Sequence, residues 1–310
     1  MKIVLLDTLT FGDTDLGGFE RFGEVEAYRT TAPEETMARI QNAEVIVTNK
    51  VVITEAMMIR CEALRLICVA ATGMNNVDLE GAAKHGISVK NVAGYSTDSV
   101  VQHTFSMLFY LMGHSRYYDG YVKSGGWQQS PVFTHLDRPV FEVKGKTWGI
   151  IGLGEIGRGV ARLATAFGAE VIYYSTSGHN TDADYHRVEL EALLQHSDIV
   201  SIHAPLNDAT KNLIGLSELM QMKRGAVLLN LGRGGIVDET SLARVIDARE
   251  FYAGLDVLED EPMRDGHPLL GVKHQERLYI TPHIAWASVE TRARLVAMVC
   301  GNIQDFIDGK

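Results

Sequence analysis

Thr147-Trp148-Gly149-Ile150-Ile151-Gly152-Leu153-Gly154-Glu155-Ile156-Gly157 is the stretch on which the fold of this chain turns. An apolar, strand-like lead-in runs into G-x-G-x-x-G. A helical pattern follows at Val160, Leu163, Ala164 and Phe167, and a second strand pattern closes a unit of about 30 residues. Each glycine has a physical task. Gly152 lets the chain turn tightly, Gly154 removes a side chain that would block a pyrophosphate, and Gly157 lets the helix pack close to the sheet. The helix start, with Glu155 and Ile156, aims unpaired N–H groups at an anion. Strand, turn, helix and second strand in this order predict a dinucleotide site.

Outward from this unit the same rhythm continues. Apolar runs at 147–151, 171–174, 199–203, 227–231, 252–256 and 278–280 form one series, and runs at 3–6, 25–28, 45–47, 66–69 and 88–91 form an earlier one. Helical patterns at 34–41, 55–60 and 79–85 alternate with the earlier runs. This alternation predicts parallel, doubly wound α/β sheets. Because the dinucleotide signature opens the second series, the first must be a separate domain. Between them Ser96-Thr97-Asp98-Ser99 caps a long helical stretch, and residues 288–307 read as a final helix. The expected division is 1–98 with 283–310 as one domain and 99–282 as the dinucleotide-binding domain.

The formal charge of −10, with no basic block, argues against a nucleic-acid partner. Cys61, Cys68 and Cys300 show no metal-ligand spacing and no paired framework, so no metal is expected and a reducing compartment is. No apolar run approaches the ~18 residues of a membrane span. The N-terminus reads as a strand, and the expectation is a cytoplasmic protein.

Three later segments carry chemistry: Leu231-Gly232-Arg233-Gly234-Gly235, Leu258-Glu259-Asp260-Glu261-Pro262 and Thr281-Pro282-His283-Ile284-Ala285-Trp286. Each follows a predicted strand of the second series, at the sheet end where open α/β folds bind ligands. An arginine fork suits the carboxylate and carbonyl of a 2-oxo acid. A histidine suits proton transfer to a carbonyl oxygen, and a carboxylate against its other nitrogen fixes the tautomer and favours the protonated ring. Asp256, at a strand end, is placed to contact a nicotinamide.

In these motifs the chain resembles the D-2-hydroxyacid dehydrogenase family over essentially its whole length. Gly152–Gly157, Arg233, Glu261 and His283 match the family's dinucleotide, arginine, glutamate and histidine segments in order. The resemblance implies a flavodoxin-like substrate-binding domain split across the chain ends, a Rossmann-type nucleotide domain and a homodimer. It implies Arg233, Glu261 and His283 as catalytic residues, with Arg233 also binding substrate. Ala71-Thr72-Gly73-Met74-Asn75 resembles the family's substrate loop, with Thr72, Gly73 and Met74 acting through main chain and Asn75 through its side chain. Lys50 is a further candidate for positive charge near substrate, and Trp286 for closing the pocket. His203, Pro205 and Thr210 resemble the segment walling the adenosine half of the cofactor. Softer matches, including Asn91-Val92-Ala93-Gly94-Tyr95, look like the glycerate dehydrogenase / hydroxypyruvate reductase branch. The expected activity is hydride transfer between NAD(P)H and a small 2-oxo acid.

One position departs from the family pattern. The acid that commonly ends the second strand of an NAD site is Ser175 here, followed by Thr176, Ser177 and Asn180. Loss of that charge removes repulsion toward a 2′-phosphate, though no arginine or lysine follows to bind it. This reading favours NADP over NAD. Two rivals share the fold: a nucleotide-sensing interaction protein and a formate dehydrogenase. The first is opposed by the absence of tails, the second by Glu261, where formate dehydrogenases typically carry glutamine.

Overall fold

The structure, a computed structural model, describes residues 1–179, 181–182 and 184–310. Asn180, one of the polar groups read beside Ser175, lies outside the described residues. The chain divides into two compact units, Met1–Ser96 with Ala287–Lys310, and Thr97–Trp286.

In the first unit, strands β1 (Lys2–Leu5), β2 (Glu24–Ala27), β3 (Val45–Thr48), β4 (Leu66–Val69) and β5 (Ser88–Lys90) form a five-stranded sheet. The order is β2-β1-β3-β4-β5 and every pairing is parallel. This is the flavodoxin-like order. Helices α1 (Pro33–Ile40), α2 (Glu55–Met58) and α3 (Leu79–Lys84) supply crossovers. Pro33 opens α1, where a missing N–H costs nothing, and the Asp78 carboxylate caps α3 by accepting from Gly81 N. Val4, Ile46, Ile67 and Val69 lie in its buried core. Burying each such side chain is worth about 1.5–3 kcal/mol.

The second unit opens with α4 (Thr97–Met112) and α5 (Ser115–Lys123). The long helical stretch expected from Ser96–Ser99 onward is α4; Gly113 and His114, which takes a left-handed φ of 46°, separate it from α5. There follow β6 (Thr147–Ile151), α6 (Glu155–Ala166), β7 (Glu170–Tyr174), β8 (His186–Arg187), α7 (Leu190–His196), β9 (Ile199–Ile202), α8 (Leu216–Gln221), β10 (Val227–Asn230), α9 (Glu239–Ala248), β11 (Tyr252–Leu255) and β12 (Leu278–Ile280). The sheet order is β12-β11-β10-β9-β6-β7-β8, parallel throughout, with the strand order reversing at β6. Two-residue β8 is too short to leave a periodic signal in sequence.

Alternation along each strand divides the core between the two faces of this sheet. Ile150, Ile199, Val227 and Leu229 pack with α4 and α6 side chains, whereas Ile151, Val200, Ile202 and Leu228 pack with those of α7, α8 and α9. Trp148 is fully buried and donates its indole N–H to Ser201 Oγ at 2.9 Å, which satisfies its one polar atom.

The chain then returns to the first unit as α10 (Val289–Ile307), capped by Ser288 Oγ accepting from Thr291 N. Residues 283–286, expected in the first unit, stand in the second. Asp256 accepts hydrogen bonds from Ile284 N and Ala285 N, and Ser99 Oγ donates to Ala285 O, so this segment is tied to the second unit. Among the described residues no helix is long and apolar enough to cross a membrane.

Candidate active site

The G-x-G-x-x-G turn joins β6 to α6 at the carboxyl end of the sheet. Gly152 has φ 92°, and a Cβ there would stand 2.9 Å from Ala204 N, so both conformation and space require glycine. A Cβ on Gly157 would run into the Gly152 carbonyl oxygen. Gly154 is different: a Cβ there would meet nothing within 4 Å. The space beside it is open, and Gly154 is the N-cap of a twelve-residue helix with no side-chain cap bond. The N–H groups of Glu155, Ile156 and Gly157 begin that helix, so unpaired donors and the positive end of its dipole face a side-chain-free opening. A pyrophosphate fits such a cradle.

The two strand ends that flank β6 carry buried polar atoms with no partner among the described residues: Ser175 Oγ after β7, and both ring nitrogens of His203 after β9. A polar ligand there would supply what the protein does not. Burial of its ring nitrogens pushes the His203 imidazole down to about 3, so it is neutral at physiological pH. Thr176 follows Ser175 and is partly exposed, and Pro205 is exposed. Thr210 is fully buried; its hydroxyl donates to Pro205 O at 2.7 Å and accepts from Asn207 N at 2.8 Å. It braces the 205–210 turn.

At the same sheet end the structure brings Glu261 and His283 together. Their Oε2 and Nδ1 atoms are 2.7 Å apart, and both side chains are about one-third exposed. The other Glu261 oxygen accepts from Leu258 N at 2.9 Å. His283 takes φ 55°, and its own N–H is held by Asp256 O and Thr281 O. Asp256, only 2 % exposed, is the anchor of this segment. Its carboxylate accepts from Thr281 Oγ1 at 2.6 Å and from the Ile284 and Ala285 amides at 2.9 Å. His103 Nε2 lies 3.1 Å from Thr281 Oγ1 and 3.7 Å from Asp256 Oδ1, and burial lowers its affinity for a proton against the pull of Asp256.

Arg233 is exposed on the loop after β10, with Nη1 donating to Gly232 O. Asn230, buried at the strand end, shapes that loop by donating to Arg233 O and accepting from Gly232 N. Asn230 and Thr281 were not singled out in the sequence. An amide ending an apolar strand directly before G-R-G-G is the signal that marks the first; Thr281 opens the T-P-H segment quoted above, where only His283 was given a role. Trp286 is partly buried against the core that holds Trp148 and Phe105.

In the first unit, the stretch after β4 holds Thr72, Gly73, Met74 and Asn75. Thr72 and Asn75 are exposed, and Asn91 Nδ2 donates to Thr72 O. Among the described residues the N–H groups of Thr72, Gly73 and Met74 have no backbone acceptor. Lys50 follows β3 and is exposed; its backbone N–H is held by Asp7 Oδ2 at 2.7 Å. Burial pushes the Asp7 carboxyl up, and the Asn49 and Lys50 amides oppose the shift.

Residues 105–285, within the second unit, match the sequence profile described as "D-isomer specific 2-hydroxyacid dehydrogenase, NAD binding domain". The chain belongs to this family. Among D-2-hydroxyacid dehydrogenase relatives, it is 36 % identical to a hydroxypyruvate reductase of Blautia hydrogenotrophica, over 100 % of this chain and 98 % of that one. It is also 36 % identical to a glycerate dehydrogenase of Methylorubrum extorquens, over 100 % and 97 %. A solved acyclic imino acid reductase in complex with NADPH and D-Arg superposes with a TM-score of 0.86 at 28 % identity, covering 100 % of this chain and 98 % of that one. Family membership makes this chain a nicotinamide-dependent oxidoreductase with a two-domain α/β fold.

Proposed function

We propose that this D-2-hydroxyacid dehydrogenase reduces hydroxypyruvate, and glyoxylate beside it, to the D-hydroxy acid. The observation that carries the reading is the 2.7 Å contact between Glu261 and His283 at the sheet end that holds the dinucleotide cradle. A bound reduced nicotinamide supplies the hydride for C2 of the oxo acid. With Nδ1 on Glu261, His283 keeps Nε2 for proton donation to the carbonyl oxygen, and the carboxylate stabilises the charged ring before transfer. Arg233 offers a two-pronged donor to the carboxylate and carbonyl of the substrate. The free amides of Thr72, Gly73 and Met74, with Asn75 and Lys50, are assigned to the substrate carboxylate, and Trp286 to closing the pocket. Asp256 holds the His283 segment and is the candidate for the nicotinamide edge. Gly152, Gly154, Glu155, Ile156 and Gly157 hold the pyrophosphate, while Ser175, Thr176, His203, Pro205 and Thr210 border the adenosine half. The relatives named for hydroxypyruvate and glycerate support the substrate.

Ser175 in place of an acid supports NADPH over NADH, and its unpartnered hydroxyl suits a ribose or phosphate oxygen. Phe133 and Leu136 of the second unit are 88 % and 78 % exposed, apolar surface of the kind a second copy would cover, which supports a homodimer. Three free, buried cysteines suit a reducing cytoplasm.

The test is oxidation of NADPH and of NADH with hydroxypyruvate, glyoxylate, pyruvate and formate. Fast turnover with hydroxypyruvate and a higher kcat/KM for NADPH are expected. Silence with every oxo acid despite tight nucleotide binding would overturn the reductase reading in favour of a nucleotide sensor. A preference for NADH above about a hundredfold, some 2.7 kcal/mol, would overturn the NADPH assignment alone.

A further inference from the structure

A second carboxylate–imidazole pair lies behind the first. Glu239 opens α9, six residues after Arg233, and His267 caps the short 3₁₀ turn Pro268–Gly271. Both side chains are 9 % exposed, and His267 Nε2 stands 2.8 Å from Glu239 Oε2. Leu269 N donates to His267 Nδ1, which assigns the ring proton to Nε2, facing the carboxylate. The remaining Glu239 oxygen accepts from Glu259 N at 2.8 Å. Burial pushes the Glu239 carboxyl up, opposed first by that amide and then by His267.

The Leu258–Glu259 peptide held in this way is pinned on its other side as well. A Cβ on Gly234 would overlap the Leu258 carbonyl, so the arginine loop packs directly on this peptide. Leu258 N donates to Glu261 Oε1, and Glu261 Oε2 meets His283. Two consecutive peptides therefore link the three: Leu258–Glu259 touches the Arg233 loop and Glu239, and Val257–Leu258, joined to it at the Leu258 Cα, donates to the Glu261 carboxylate.

We propose that Glu239 and His267 are positioning residues: by holding the Glu259 peptide they set where Glu261 meets His283. The inference rests on the reductase reading for its kinetic readout but not for its structural one. If the peptide loosens, Glu261 supports the imidazolium less well. The alkaline limb of kcat/KM for reduction, which belongs to the Glu261–His283 pair as a unit, then moves to lower pH. The other charged groups on the segments around the pair are Arg233, Glu259 and Asp260 on the two loops, and Asp256 with His103 on the side of the 281–285 segment.

His267→Asn keeps an acceptor that can cap Leu269 N–H and removes the ring N–H that meets Glu239, so it tests the clamp with the fold least disturbed. Expected are a fall in kcat of about tenfold with KM nearly unchanged, and an alkaline limb lower by up to about one unit. In a Glu261→Gln background the same substitution should leave the limb where it is. Equal losses in both backgrounds with the limb unmoved would reduce the pair to a packing role and overturn the proposal. Hydrogen exchange at the Glu259 amide reads the clamp without turnover. Faster exchange in His267→Asn is expected, and an unchanged rate overturns the clamp even if no oxo acid is reduced. Absence of turnover by the unmodified chain overturns the reductase reading instead.

Discussion

The cradle at residues 152–157 and the Glu261–His283 pair lie at the carboxyl end of one sheet, yet they are built by opposite means. The cradle is a single continuous stretch whose working parts are main-chain N–H groups, with glycines keeping side chains away from them. The pair is made of side chains from separated segments, held by bonds that Asp256 and Leu258 make across the fold. A region made of backbone and space fails when atoms are added. A region made of two side chains fails when atoms are taken away. Damage to one should therefore leave the other intact.

The sharpest break in that comparison comes from the pair. His283→Gln keeps a polar side chain but no titratable donor, and kcat for oxo-acid reduction should fall by about 10²–10⁴-fold. Nucleotide affinity, read by fluorescence titration of the same protein, should stay near its original value. A parallel loss of nucleotide affinity would mean that the two regions are not separable.

A smaller effect distinguishes two glycines of the cradle. Gly154→Ser places a hydroxyl in open space at the N-cap of α6, where serine is a favoured cap. The nucleotide-free protein should melt no lower than the original, while nucleotide affinity falls by about tenfold or more, some 1.4 kcal/mol, because the hydroxyl competes for the same N–H groups. Gly152→Ala should do the reverse first. Its left-handed φ and the nearby Ala204 backbone make alanine strained, at a cost above about 1 kcal/mol, or roughly 2–4 °C in a unit of this size. Equal melting temperatures for the two variants would refute the assignment of open space to one and close packing to the other.

The same contrast explains what could be read from sequence. The cradle was legible because its parts are consecutive and its glycine spacing has one physical use. All strands but two-residue β8 were legible because short apolar runs between helical patterns leave a strong periodic trace. Arg233, Glu261 and His283 were named as separate residues, but nothing linear fixes the 2.7 Å between two of them. Asp256 was read as a ligand contact; its three hydrogen bonds to the 281–285 segment depend on β11 and β12 being neighbours, which only the sheet order establishes. Glu239 and His267 left no trace, since a carboxylate opening a helix and a histidine before proline are ordinary surface choices until burial brings them together.

A further contrast concerns a second histidine at this sheet end. His283 is the residue assigned to proton donation, whereas His203 sits beside the cradle and is kept neutral, its ring nitrogens covered and its proton affinity pushed down from 6.5 to about 3 by burial. The unfolded chain binds a proton near pH 6.5 and the folded chain does not. The stability tied to His203 is thus fully present above pH 6.5 and is lost as pH falls from there toward 3, at up to about 1.4 kcal/mol per pH unit. His103 and His114 are also pushed down by burial and contribute in the same direction. Only the difference between variants therefore isolates one ring. Urea unfolding of the original protein and of His203→Leu, from pH 7.5 down to 5, should show the variant losing less stability on acidification. Identical slopes would mean that His203 takes up its proton in the folded state, and the neutral wall assigned to the cradle would go with it.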